Sequence, residues 1–174
     1  MRGLGRNLDV KNNKSAYAIA VAISLVLASV LLVTFFVFDQ PAQKPYMTIY
    51  LLDSNRKAAD YPEFVVANVN STFSVFVDVE NHMGQTVNGA QVLVKVANGT
   101  NPTFPLDVNA TRTFTGTVQD GATWENIATI SLNTPGNYLI AFELWTPNQG
   151  TGALQFSGDL AVLNVQVVPQ NATA

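Results

Sequence analysis

SAYAIAVAISLVLASVLLVTFFVF, residues 15–38, runs for 24 positions without a formal charge. An α-helix rises about 1.5 Å per residue, so the run reaches about 36 Å and crosses a hydrocarbon core of about 30 Å with some tilt. In lipid only a helix satisfies its own backbone, so Val21, Ile23, Val26 and Val30 do not argue for a strand. The segment is therefore expected to be a transmembrane helix, with Tyr17 suited to one interface. A secretory h-region is about 7 to 15 residues and ends at a small-x-small site. Ala42 has Gln40 two positions before it, so a cleaved signal peptide is not expected. Ala16, Ala20, Ser24 and Ala28 recur every fourth residue and set four small side chains along one helical face. Such a small-xxx-small pattern lets two helix backbones approach closely in lipid, which marks this face for helix packing.

The flanks orient the span. Residues 1–14 carry Arg2, Arg6, Lys11 and Lys14 against Asp9, whereas residues 39–174 carry 11 acids and 5 bases. The positive-inside rule keeps the basic tail cytoplasmic and sends the acidic remainder outside the cell. Residues 39–45, DQPAQKP, hold two prolines and form a short spacer of roughly 20 Å at about 3.1 Å per residue. Residues 46–168 are one extracytoplasmic domain and 169–174 a C-terminal tail.

From Tyr46 onward the apolar residues switch to period two. Phe73, Val75, Val77 and Val79 alternate with Ser74, Asp78 and Glu80, as a sheet with one buried face requires. Similar patterns run over 46–53, 91–96, 111–118, 124–132, 138–145 and 160–168, the last five separated by Gly-, Pro- and Asn-rich turns. In 91–96, Val92, Val94 and Val96 face inward and Lys95 outward. Asn88-Gly89 reads as part of a turn, and residues 98–109 as a long loop. About seven strands with no helical pattern between them predict an all-β antiparallel immunoglobulin-like sandwich. Gly136-Asn137-Tyr138 fits a tyrosine corner, in which the hydroxyl bonds back to upstream backbone.

The run Tyr46–Gly84 contains Lys57-Ala58-x-x-Tyr61-Pro62 and Asn81-His82. It resembles an uncharacterised archaeal membrane-protein domain family, a domain of unknown function, although Met83 stands where that family often has glutamate. The likeness covers about 40 residues well, and it implies an outward-facing, membrane-anchored sandwich rather than an activity. Lys14-Ser15 ahead of the apolar run also resembles the cleavage point of archaeal pilin-like precursors, without their glycine at Ser15 or their early glutamate.

Composition narrows the chemistry. Charged residues are 12% of the chain and cysteine is absent, which removes disulfides, thiolate metal sites and a cysteine nucleophile. Five basic residues in the outer part do not make a nucleic-acid surface. His82 is the one histidine, so a triad or multi-histidine metal site cannot be built within one copy. Asp53, Asp60 and Glu63 fall around one loop, and Asp78 and Glu80 share a strand face; a solvated acidic surface is the expected reading. Asn70, Asn98, Asn109 and Asn171 each begin an Asn-x-Thr/Ser acceptor without proline in the middle and are candidate glycosylation sites. Asn13-Lys-Ser15 also fits but falls on the cytoplasmic side. No catalytic, cofactor-binding or metal residue and no small-molecule substrate is predicted. The expected role is a non-enzymatic, single-pass surface protein. Its partners are the bilayer and other membrane or envelope subunits, a second copy included. The rivals are a pilin-like filament subunit cleaved near Ser15, and an enzyme or metal carrier whose site two subunits share.

Overall fold

The computed structural model describes residues 11–38, 44–99 and 102–170, in two compact units, Met1–Gln43 and Lys44–Ala174. The first is represented by helix α1, Lys11–Phe38. It starts four residues before the uncharged run, taking in the end of the basic tail. Every described side chain from Tyr17 to Phe36 is exposed, and that stretch is long and apolar enough to cross a membrane. Its serine hydroxyls bond back within the helix: Ser24 Oγ donates to Ala20 O at 2.9 Å and Ser29 Oγ to Leu25 O at 2.8 Å. Ala20, Ser24 and Ala28 lie on the exposed helix, while the side chain of Ala16 lies outside the described residues.

The second unit holds, among the described residues, eight strands: β1 (Tyr46–Leu52), β2 (Phe64–Val66), β3 (Thr72–His82), β4 (Val87–Asn98), β5 (Arg112–Val118), β6 (Thr123–Ser131), β7 (Gly136–Pro147) and β8 (Leu154–Val168). They form a three-stranded sheet, β1-β3-β6, and a five-stranded sheet, β2-β8-β7-β4-β5. The predicted all-antiparallel set of seven therefore needs two corrections. β2 is an additional strand, and it pairs parallel to β8, with Phe64 opposite Gln166 and Val66 opposite Val168. Three residues are too few to carry a period-two signal.

Both sheets close on one core. Ile49 and Leu51 of β1, Val75, Val77 and Val79 of β3, and Ala128 and Ile130 of β6 meet Val92 and Val94 of β4, Ile140, Phe142 and Leu144 of β7, and Val165 of β8. Val77, Val79, Val92, Ile140, Phe142 and Leu144 are completely buried. Burying each such side chain contributes about 1.5–3 kcal/mol, which lets the unit do without disulfides. Tyr138 forms the predicted corner, its hydroxyl donating to Thr134 O at 3.0 Å. Asn88-Gly89 is not a turn: it lies inside β4, where Gly89 takes φ +73° and the register with β5 shifts between Asn88 and Ala90. An αL glycine at a bulge adds one residue without ending the strand.

β7 is buried on both faces over Leu139–Leu144. The reason is the segment between β4 and β5, which folds over the outer face of the five-stranded sheet. There Leu106 and Phe104 cover Leu139, Ala141, Ala97 and Val162 in a second small core.

Candidate functional site

One end of the β domain is hollowed by a half-open cleft of about 800 Å³. Three pieces of chain build it: the start of β1 (residues 45–47), the β3–β4 hairpin (residues 83–88) and the β7–β8 hairpin with the first part of β8 (residues 146–150 and 155–159). The floor is apolar, with Met47 buried and Met83, Val87, Pro147 and Phe156 half-buried. The rim carries the side-chain amides of Gln85, Asn88, Asn148, Gln149 and Gln155. The size is in the range of ligand clefts, and an apolar floor with a few polar groups is their usual make-up.

The walls are fixed by their own hydrogen bonds. In the β7–β8 hairpin, Asn148 Oδ1 accepts from Gly150 N at 2.9 Å and Thr151 N at 3.1 Å, and its amide donates to Gln155 Oε1 at 3.1 Å. Phe156 packs against Trp145, ring centroids 6.0 Å apart. In β8 the residues after Phe156 bulge outward, because Trp145 pairs with Phe156 but Glu143 with Leu160. Ser157 Oγ ties that bulge back by donating to Leu144 O at 2.8 Å and accepting from Asp159 N at 3.1 Å.

The opposite wall hangs on Asn81, whose side chain is wholly buried. Its Nδ2 donates to Gln85 O and Val118 O, each at 2.8 Å, and its Oδ1 accepts from Met83 N at 2.9 Å. The β3–β4 hairpin is thereby pinned to the end of β5. The neighbouring His82 stacks on Tyr46 with centroids 4.8 Å apart and lies 3.5 Å from Glu80 Oε2.

The carboxylates separate into distinct jobs rather than one surface. Asp53 closes a turn: Oδ1 accepts from Asn55 N at 2.9 Å and Lys57 N at 2.8 Å, and these bonds, the Lys57 one foremost, hold its carboxyl below its ordinary range. Asp60 and Glu63 are exposed in the connection to β2. On the outer face of the three-stranded sheet, Tyr50, Asp78 and Glu125 form one cross-strand row. Tyr50 donates to Glu80 Oε1 at 2.8 Å, and burial together with Glu80 and Asp78 pushes its hydroxyl up to about 12. Arg56 pairs with Glu125 and lies over the Phe76 ring. Asp78 is buried, and its Oδ1 has no hydrogen-bond partner among the described residues. Burial first, then the charge of Glu125, raises its carboxyl, while the Tyr50 hydroxyl and Arg56 pull the other way. Among the described residues no group of three or more His, Asp or Glu side chains is placed to hold a metal ion.

A raised carboxylate loses stability as pH climbs through its folded-state value, and keeps it below the ordinary value near 4. Asp78→Asn removes that loss. The variant is expected to melt above the parent at pH 7, with the gap narrowing by pH 4. A gap of equal size at both pH values would show that Asp78 is not titrating in a desolvated site.

The burial of Lys95 and its pairing with Glu143 escape the sequence reading. Lys95 points away from the core as expected, but the folded-back segment covers it, leaving the side chain 8% exposed and that of Glu143 0%. Lys95 Nζ lies 2.9 Å from Glu143 Oε2 and donates to Leu106 O at 2.7 Å. Glu143 Oε1 accepts from Leu106 N, and Oε2 accepts from Trp145 Nε1 at 3.1 Å. Both backbone groups of Leu106 are thus clamped by one buried ion pair. The available signal was the pair of large apolar residues Phe104 and Leu106 within a loop rich in Asn, Thr and Pro.

The sequons fall away from the cleft. Asn70 precedes β3 and Asn98 ends β4, both exposed at the opposite end of the domain. Asn109 is exposed two residues before Thr111, whose N–H and hydroxyl both donate to Val94 O. Val94 stands seven residues along β4 from Val87, about 23 Å from the cleft at 3.3 Å per residue. Asn171 lies outside the described residues.

No family model matches the chain, and no curated protein does. Solved structures do resemble it. The CARDB domain of a Pyrococcus furiosus protein, determined in solution, is 17% identical at a TM-score of 0.50, covering 72% of this chain and 96% of that one. A crystal structure of the same domain in complex with di-metal ions is 18% identical at 0.49, covering 72% and 90%. A β-glucosidase from Listeria innocua is 12% identical at 0.47 over 71% of this chain and 16% of its own. At these identities the first likeness shows a fold alone: the β domain that follows the apolar helix is of the kind found in CARDB.

Proposed function

We propose that the chain is a single-pass membrane protein with a cytoplasmic N-terminal tail and an extracytoplasmic, immunoglobulin-like β-sandwich. In this reading the sandwich binds a neighbouring polypeptide of a membrane or envelope complex and carries out no catalysis of its own. The observation that carries the reading is α1, whose long apolar stretch has large side chains such as Leu25, Leu31 and Phe36 64–69% exposed. Apolar surface on that scale calls for lipid or another protein to cover it. The basic tail and the acidic outer domain support the orientation. Two surfaces suit a partner: the rigid cleft, and the helix face of Ala16, Ala20, Ser24 and Ala28.

Photo-crosslinking from the cleft rim in native membranes, read by mass spectrometry, is expected to yield a defined neighbour. Mild-detergent extraction that gives only a lone monomer, with no crosslink from any face, overturns the reading. The same material tests the sequons. At least one of Asn70, Asn98, Asn109 and Asn171 is expected to carry a glycan, so its Asn→Gln variant loses that mass. An unshifted mass for host-derived protein counts against the glycan.

A further inference from the structure

We propose that the cleft receives a basic side chain of the partner polypeptide, a lysine or arginine flanked by apolar residues, with Asp159 as its counter-ion. The inference rests on the interaction reading above and adds the partner's chemistry. Asp159 is the one charged side chain among the residues lining the cleft. It is half-buried, and its carboxylate makes no ion pair or hydrogen bond with the described residues. Its position is set by the β8 bulge, through its own N–H to Ser157 Oγ and through Gly158, whose φ of +93° suits glycine. Partial burial raises the Asp159 carboxyl. An incoming cation compensates for that loss of solvent.

The surroundings select what comes with the charge. Met47, Met83 and Phe156 offer apolar surface, and Tyr46 and Phe156 offer rings to a cation or its aliphatic stem. At the rim, the side-chain amides of Gln85 and Gln149 make no hydrogen bond among the described residues, and they match the N–H and C=O groups of an extended backbone. A quaternary ammonium head group has no N–H donor and presents no amide backbone, so it leaves those groups unanswered. The charge complement extends beyond the cleft, since acids outnumber bases 11 to 5 over residues 39–174 and favour the approach of a basic partner.

The test uses full-length protein in maltoside micelles and four labelled peptides, Ala-Leu-X-Leu-Ala with X as Arg, Lys, Gln or Glu, followed by fluorescence anisotropy. The Arg and Lys peptides are expected to bind about tenfold tighter than the other two. Asp159→Asn should level the four. Thr86→Glu, at an exposed position lining the cleft, should strengthen the Arg peptide and so guards against a mere folding defect in the first variant. Equal binding of all four peptides, no binding by any, or a preference that survives Asp159→Asn overturns the inference. Choline competing as well as the Arg peptide overturns it in favour of a lipid head group. Crosslinks to neighbours through other faces, with no charge preference here, sink this inference and leave the interaction reading standing; the absence of any crosslinked neighbour sinks that reading instead.

Discussion

Lys95→Met is expected to destabilise the β domain by about 3–5 kcal/mol, the usual consequence of leaving a buried charge without its partner. Glu143 is fully buried and cannot recover its lost counter-ion from water. It keeps two donors, Leu106 N–H and Trp145 Nε1–H, but Leu106 O loses the ammonium that it accepts from. A domain of this size is stable by about 5–15 kcal/mol, so the variant gives up a large share of the margin. Replacing both charges, as Lys95→Met with Glu143→Leu, removes the stranded carboxylate, and apolar replacement of a buried pair is often neutral or better. Here it should recover only part of the loss. The pair also serves the backbone of Leu106, and each buried group left unmatched costs about 1–3 kcal/mol unless the segment lifts into water. The measurement is urea unfolding of the three proteins by tryptophan fluorescence, with amide exchange over residues 102–111. A single variant within 1 kcal/mol of the parent would mean that water reaches Glu143.

The same site shows where sequence reading stops. The inward faces of β3, β4 and β7 were legible because alternation of Val, Ile and Phe with polar residues is a local signal. Tyr138 was legible because its partner, Thr134, lies four residues away. The Lys95–Glu143 pair joins positions 48 apart, and outward-pointing residues on a sheet are taken as solvated until something is known to cover them. The cover comes from a loop whose fold-back no periodicity predicts. The cleft was hidden for a related reason, since its three pieces are hairpins and strand ends distant in the chain. Asn88-Gly89 misled in the opposite direction. That dipeptide supplies an αL glycine, which a turn and a β-bulge both use, and local sequence does not choose between them.

Asn81→Ala is expected to cost about 2–4 kcal/mol, because one side chain satisfies three backbone groups at once. Its loss strands Gln85 O, Val118 O and Met83 N; the bond to Val118 O is fully buried and the other two partly so. The damage should be local in shape as well as global in energy. Without Asn81 the β3–β4 hairpin is still held at Gly84, whose N–H donates to Asp120 Oδ1 at 2.8 Å, and at the backbone bond from Gly121 N to Asn81 O at 2.7 Å. Amide exchange should therefore rise most at Met83 and its neighbours, ahead of the β3 and β4 interiors. Asn81→Asp separates hydrogen bonding from shape. It keeps the acceptor for Met83 N–H but turns a donor toward two carbonyl oxygens into a carboxylate facing them. That variant should be less stable than Asn81→Ala at pH 7 and recover at low pH, where a protonated acid again donates. The sign follows because ionisation in this site is opposed by burial and by both carbonyls, so stability falls as pH rises. Thermal melts of both variants between pH 4 and pH 8 decide it. If Asn81→Asp melts with the parent at every pH, the buried clamp is not what holds this wall of the cleft.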